Sequence, residues 1–122
     1  METTAQQTMT EALDRLWVQF KPQMEERVRV LEAANQALAW NRLSKQQRGE
    51  ANSAAHKLAG TLGTFGLTKG TVLAREAEVI YSGDAETDPD SLPRLQEIAD
   101  QLKAIVAGRK KSIEAEPLPS GL

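Results

Sequence analysis

Four stretches of the chain repeat apolar residues at intervals of three and four, the spacing that gives a helix one buried face. The first stripe runs Leu13, Trp17, Phe20, Met24, Val28, Leu31, Ala34 and Leu38. Glu11, Lys21, Glu25, Arg29, Glu32 and Gln36 occupy the opposite face. Thr8-Met9-Thr10-Glu11 has the form of a capping box, which predicts a helix starting there and ending near Trp40-Asn41. Pro22 falls inside it. Proline removes a backbone hydrogen bond and crowds the preceding turn. The stripe nevertheless keeps its phase across Pro22, which predicts a kinked helix; a break near Phe20-Lys21 is the alternative.

Ser44-Lys45-Gln46-Gln47 is a second capping box. The helix it opens carries the stripe Ala51, Ala55, Leu58, Leu62 and Phe65, holds Arg48 and Glu50 in water, and closes at Gly66. Thr68 is placed to cap a third helix with Leu73, Ala77 and Ile80 inward and Val72, Ala74 and Tyr81 at the edges. Arg75, Glu78 and Ser82 share another face of it. The run from Ser82 to Pro89 is a loop by composition. Asp90 or Ser91 then caps a fourth helix, with Leu92, Leu95, Ala99, Leu102 and Val106 as its stripe and Ile98 and Ile105 alongside. Arg109, Lys110 and Lys111 near its end suit the helix dipole. No segment shows the two-residue period of a strand. The expected fold is all-α, an antiparallel up-down four-helix bundle over residues 8–115. Its first helix is kinked or extended near Pro22, and residues 1–7 and 116–122 are flexible termini.

Composition narrows the function. Aromatics make up only 4% of the 122 residues, so Leu, Ala, Val and Ile must build the core. A net charge of −2 leaves no basic footprint for nucleic acid. There is no cysteine for a disulfide, a thiolate nucleophile or a zinc site. No apolar run reaches the roughly 20 residues of a membrane span, and the N-terminus lacks the basic-then-apolar order of a signal peptide. The expectation is a cytoplasmic monomer. With a single histidine, a His-x-x-x-His metal pair cannot form. No Gly-x-Ser-x-Gly elbow is present, and Gly60, Gly63 and Gly66 lack the spacing of a phosphate-binding loop.

That histidine lies on the odd face of the second helix. Asn52, His56, Gly60 and Gly63 follow one another at intervals of four, four and three, opposite the apolar stripe. His56 and Leu58 are about 200° apart around the axis, so burying the stripe turns His56 outward. Each glycine costs roughly 1 kcal/mol against alanine inside a helix. What glycine offers there is the absence of a side chain beside the ring, leaving the imidazole open to a large visitor. Tight helix–helix packing at Gly60 and Gly63 is the competing explanation. An exposed histidine beside a cleared track points to chemistry in trans with a macromolecular partner.

The stretch His56-Lys57-Leu58-Ala59-Gly60-Thr61-Leu62-Gly63-Thr64-Phe65-Gly66-Leu67 resembles the signature of histidine-containing phosphotransfer (Hpt) domains. The resemblance extends more loosely to the four-helix layout from Leu13 to Arg109. It implies a phosphorelay intermediate, a phosphocarrier and not an enzyme, with no ATP site and no cofactor of its own. His56 would take a phosphoryl group from the aspartate of one receiver domain and pass it to another, with Nε2 of the neutral ring as nucleophile. The receiver would bring Mg²⁺ and a lysine. Asn52, Gly60 and Gly63 would form the partner-facing side. The lysine common three residues after the histidine is replaced by Ala59, leaving Lys57 and Lys69 as candidate cations. Glu78 matches the place of a glutamate that, in chemotaxis-kinase members, accepts a hydrogen bond from Nδ1 and fixes the tautomer. Alternatively, Glu78 pairs with Arg75, one turn away. The rival function is a helical module that binds receiver domains without phosphotransfer, for which the loss of lysine at Ala59 is the best support.

Overall fold

The computed structural model describes residues 2–83 and 86–109. Helix α1 spans Glu2–Ala39, α2 Lys45–Thr64, α3 Thr68–Ile80 and α4 Leu92–Gly108, and a 3₁₀ turn, Pro89–Ser91, leads into α4. Each helix packs on its neighbours in sequence, and α4 closes the ring against α1. The result is an all-α four-helix bundle with no strand among the described residues.

The first helix is longer than its capping box suggests. It begins at Glu2, so Thr8 lies inside it and does not start it. Its 38 residues make it about 57 Å long, roughly twice the length of the 20-residue α2. Residues 5–9 are exposed, while Asp14 and Trp17 are already buried, so α1 packs on the bundle from about Asp14 onward. The helix runs through Pro22 without the break held as the alternative. Pro22 and Val18, whose carbonyl loses its partner, are both on the exposed side, where water can satisfy the freed oxygen.

The ends of α1 and α2 are built alike. At α2, Gly66 takes a φ of 71°, and the amides of Leu67 and Gly66 bond to the carbonyls of Leu62 and Gly63 at 3.0 Å each. At α1, Asn41 takes a φ of 56°, and the amides of Arg42 and Asn41 bond to Ala37 and Leu38 at 2.7 and 3.1 Å. Both are paired closures of a helix end by a residue in the left-handed region, which glycine adopts freely and asparagine tolerates. Ser44 caps α2 as expected, its Oγ accepting from the Gln47 amide at 3.0 Å.

Other caps differ. Leu67, not Thr68, precedes α3 and gives no side-chain bond. Asp88 accepts the Asp90 amide at 2.9 Å and caps the 3₁₀ turn, while Ser91 leads into α4 without a side-chain bond. Pro89 fits that turn because its missing N–H belongs to the unsatisfied first turn anyway.

Met24, Leu31, Leu58, Leu62, Leu95, Ile98, Leu102 and Val106 are the largest apolar side chains fully sealed inside. Phe20, Phe65, Ile80, Leu92 and Ile105 lie half-buried around them. Tyr81, expected at an edge, is among the most deeply buried residues, and Arg48, expected in water, is buried as well. The reversal at Arg48 comes from the segment after α3, and the one at Tyr81 from α1, where Asn35 Oδ1 accepts from the Tyr81 hydroxyl. Thr87 to Pro89 folds over the start of α2 and lines a small hollow with Arg48 and Leu38. Arg109 does more than complement a dipole. It pairs with Asp14 at 3.2 Å and lies over the rings of Trp17 and Phe65 at 5.1 and 5.4 Å, tying α1, α2 and the end of α4 together. Lys110, Lys111 and the 116–122 tail lie outside the described residues. Among the described residues, no helix is long and apolar enough to cross a membrane.

Candidate functional site

The site is assembled where α2 and α3 lie side by side. Ala51, Ala55, Leu58 and Leu62 are buried, so the stripe seats α2 and turns His56 outward, leaving its side chain 69% exposed. Across the gap, Leu73, Ala74 and Ala77 seat α3 and bring Glu78 up beside the ring. His56 Nδ1 and Glu78 Oε2 are 2.8 Å apart. A carboxylate only accepts hydrogen bonds, so the neutral ring that fits this contact carries its proton on Nδ1 and its lone pair on Nε2. Of the two readings of Glu78, pairing with Arg75 is not the one realised. Arg75 is exposed and forms no ion pair with Glu78.

Asn52 is committed to α3. Its side-chain amide donates to the Glu78 carbonyl at 2.7 Å, so one residue of α3 is held twice, by its backbone to Asn52 and by its side chain to His56. The last turn of α3 therefore cannot slide along α2 without breaking both bonds. The two glycines differ from each other. A Cβ added to Gly60 would meet nothing within 4 Å, so helix packing does not require glycine there. One at Gly63 would lie 3.5 Å from Thr71 Oγ1, an ordinary contact. The glycine most closely packed is Gly70 on α3, where a Cβ would stand 2.9 Å from Leu62 Cδ1 and that side chain would have to shift.

Ala59, which stands at the place of the lysine that the resemblance implies, is 2% exposed and sits against α3, its carbonyl accepting from Thr71 Oγ1 at 3.2 Å. Lys57 is exposed and lines an open groove with His56, Gly60, Thr61 and Thr64 of α2. Lys69 is exposed on the first turn of α3 and does not line that groove. The far wall is formed by Phe20 and Arg27 of α1, and Arg27 Nη1 donates to Thr61 Oγ1 at 3.4 Å. Sequence reasoning passed over Arg27. The signal was present: Phe20, Met24, Arg27 and Leu31 recur at helical spacing, so Arg27 interrupts an apolar row that faces another helix.

The Hpt domain profile matches residues 15–107, from within α1 to the last turn of α4. Protein RcaC of Microchaete diplosiphon is 32% identical over 117 residues. That alignment covers 96% of this chain but only 18% of RcaC. No solved structure matches the chain. A bundle with a solvent-facing histidine on its second helix, matched by this profile over most of its length, belongs to the Hpt domain family.

Proposed function

We propose that His56 is the phosphoryl acceptor of a phosphorelay, taking its phosphoryl group from the aspartyl phosphate of one receiver domain and yielding it to the aspartate of another. The observation that carries this reading is the state of the ring: Nδ1 is engaged by Glu78 at 2.8 Å while the side chain remains 69% exposed. Such a histidine is oriented, has a fixed tautomer and can be reached.

The exchange balances without help from an acid or base. The lone pair of Nε2 attacks phosphorus, an N–P bond forms, and the bond between phosphorus and the aspartate oxygen breaks, with the electron pair leaving on the carboxylate. The proton stays on Nδ1, and the Glu78 carboxylate offsets the positive charge that spreads over the phosphorylated ring. The reverse step delivers the group to the next receiver. In-line approach requires the receiver's aspartate to reach Nε2, and the missing side chain at Gly60 leaves room for that approach. The Mg²⁺ that offsets the phosphoryl charge belongs to the receiver in this reading, and the bundle contributes no cofactor.

Incubation with a phosphorylated receiver tests it. Phosphate that is labile to acid and stable to alkali should appear on the protein and be absent in His56→Gln. A wild-type chain that binds receivers but takes no phosphate would instead be a non-transferring interaction module.

A further inference from the structure

Ala59 leaves the phosphoryl site without its expected cation, and the fold brings another one near. Arg27 stands on α1, far from His56 in sequence, yet it lines the same groove as His56, Lys57, Gly60 and Thr61. It is half-buried, which limits the directions its side chain can take. Its bond to Thr61 is 3.4 Å, longer than a well-formed N–H···O contact. Among the described residues no carboxylate pairs with it, so most of its guanidinium donors are uncommitted. The other arginines that approach carboxylates are occupied: Arg94 by Glu76 and Glu97, Arg109 by Asp14, Arg29 by Glu26.

The ring itself gives the direction. Nδ1 is held on the α3 side by Glu78. The groove flanking His56 on the other side is walled by α1. A phosphoryl group on Nε2 occupies the nitrogen away from Glu78, and a Cβ-free Gly60 leaves the groove unfilled around it. We infer that Arg27 is the phosphoryl-holding cation of this protein, reaching across from α1 to the oxygens of phosphorylated His56, an assignment that rests on the phosphotransfer reading above. A planar guanidinium presents two parallel N–H donors to two phosphoryl oxygens, which a lysine ammonium cannot do. Arg27 moves no proton and breaks no bond. It lowers the free energy of the phosphorylated form by exchanging a long contact with a neutral hydroxyl for charge-assisted bonds.

The test uses phosphoramidate, a small donor that phosphorylates histidine without a receiver, alongside a phosphorylated receiver, on wild type, Arg27→Gln and Arg27→Lys. Arg27→Gln should keep the melting temperature close to wild type, because it gives up one long, partly buried bond to a neutral hydroxyl. It should shift the equilibrium of transfer from the receiver against the protein by roughly tenfold. It should also move the ³¹P resonance of the phosphohistidine made with phosphoramidate, a change that a purely structural residue would not cause. Arg27→Lys should recover part of the equilibrium. A wild-type chain that labels at His56 while Arg27→Gln matches it in both equilibrium and ³¹P resonance overturns the assignment and leaves the phosphotransfer reading standing. A wild-type chain that labels with neither donor overturns both.

Discussion

Two polar clusters hold α3, one at each side, and they use similar groups for opposite ends. On the inner side, Tyr81 donates to Asn35 Oδ1 at 2.5 Å, and the Asn35 amide donates to the Leu95 carbonyl at 3.1 Å. On the outer side, the Asn52 amide donates to the Glu78 carbonyl, and Glu78 accepts from His56. Each cluster pairs an asparagine with a titratable side chain and a backbone oxygen. Tyr81 is 1% exposed, and burial holds its hydroxyl well above the usual phenol range, so it stays a neutral donor at any working pH. His56 meets water and any visitor. Burial turns a polar cluster into a fixed strut joining α1, α3 and α4, while exposure turns one into a site. The outer cluster still borrows rigidity from its half-buried member, because Asn52 pins the residue that orients the ring.

The contrast breaks most visibly at Asn35. Asn35→Ala would strand both the Tyr81 hydroxyl and the Leu95 carbonyl in the core, and thermal or urea unfolding should show a loss of about 3 kcal/mol. The folded fraction should still accept phosphate at the wild-type rate. Glu78→Ala reverses the pattern. The Asn52 bond goes to the backbone of Glu78 and survives, so the melting temperature should barely move. Phosphoryl transfer should slow by roughly tenfold as the ring loses its orienting acceptor. Equal rates for Glu78→Ala and wild type would show that the 2.8 Å contact serves structure alone. Tyr81→Phe keeps the ring in the core and removes one bond to Asn35, at a cost of about 1 kcal/mol measurable by urea titration.

The smallest effect lies at the exposed fork between α3 and α4, where Arg94 holds Glu76 at 2.6 and 2.7 Å. The hydrogen bond from Arg94 keeps the Glu76 carboxyl below its ordinary value of 4.5. The folded chain therefore binds this proton less readily than the unfolded chain. The stabilisation is present above that ordinary value and lost as the pH falls through the lowered one. Both groups are solvent-accessible, so the contribution is modest and screened by salt. A small melting deficit of Glu76→Gln at pH 7 should shrink below the ordinary value and vanish once the pH has fallen through the lowered one. A deficit that persists there would mean that the fork acts through packing instead of charge.

The legible parts of the fold were those fixed by chemistry within a turn or two. Ser44 and Gly66 bound α2 because a hydroxyl reaching its own first turn and a glycine at positive φ act locally. The outward direction of His56 followed from the stripe beside it. Thr8 misled because a capping-box sequence inside a longer helix looks the same as one at its start. Arg48 and Tyr81 misled because their burial depends on the segment around Thr87 and on Asn35, neither of which is a helical neighbour.

The sequence by itself determined the four helices, the face each one buries, and a lone histidine turned to solvent beside two glycines. Periodicity and caps are properties of neighbouring residues, so they can be read from order along the chain. The family signature added Glu78 as a candidate partner for that ring. Only the tertiary structure decided what stands around the ring: Glu78 at 2.8 Å from α3, Asn52 pinning the residue that bears it, and Arg27 across the groove from α1. Those placements depend on how far each helix slides and turns against the next, which is set by side chains such as Leu62 meeting Gly70. Spacing along one helix carries no record of that fit.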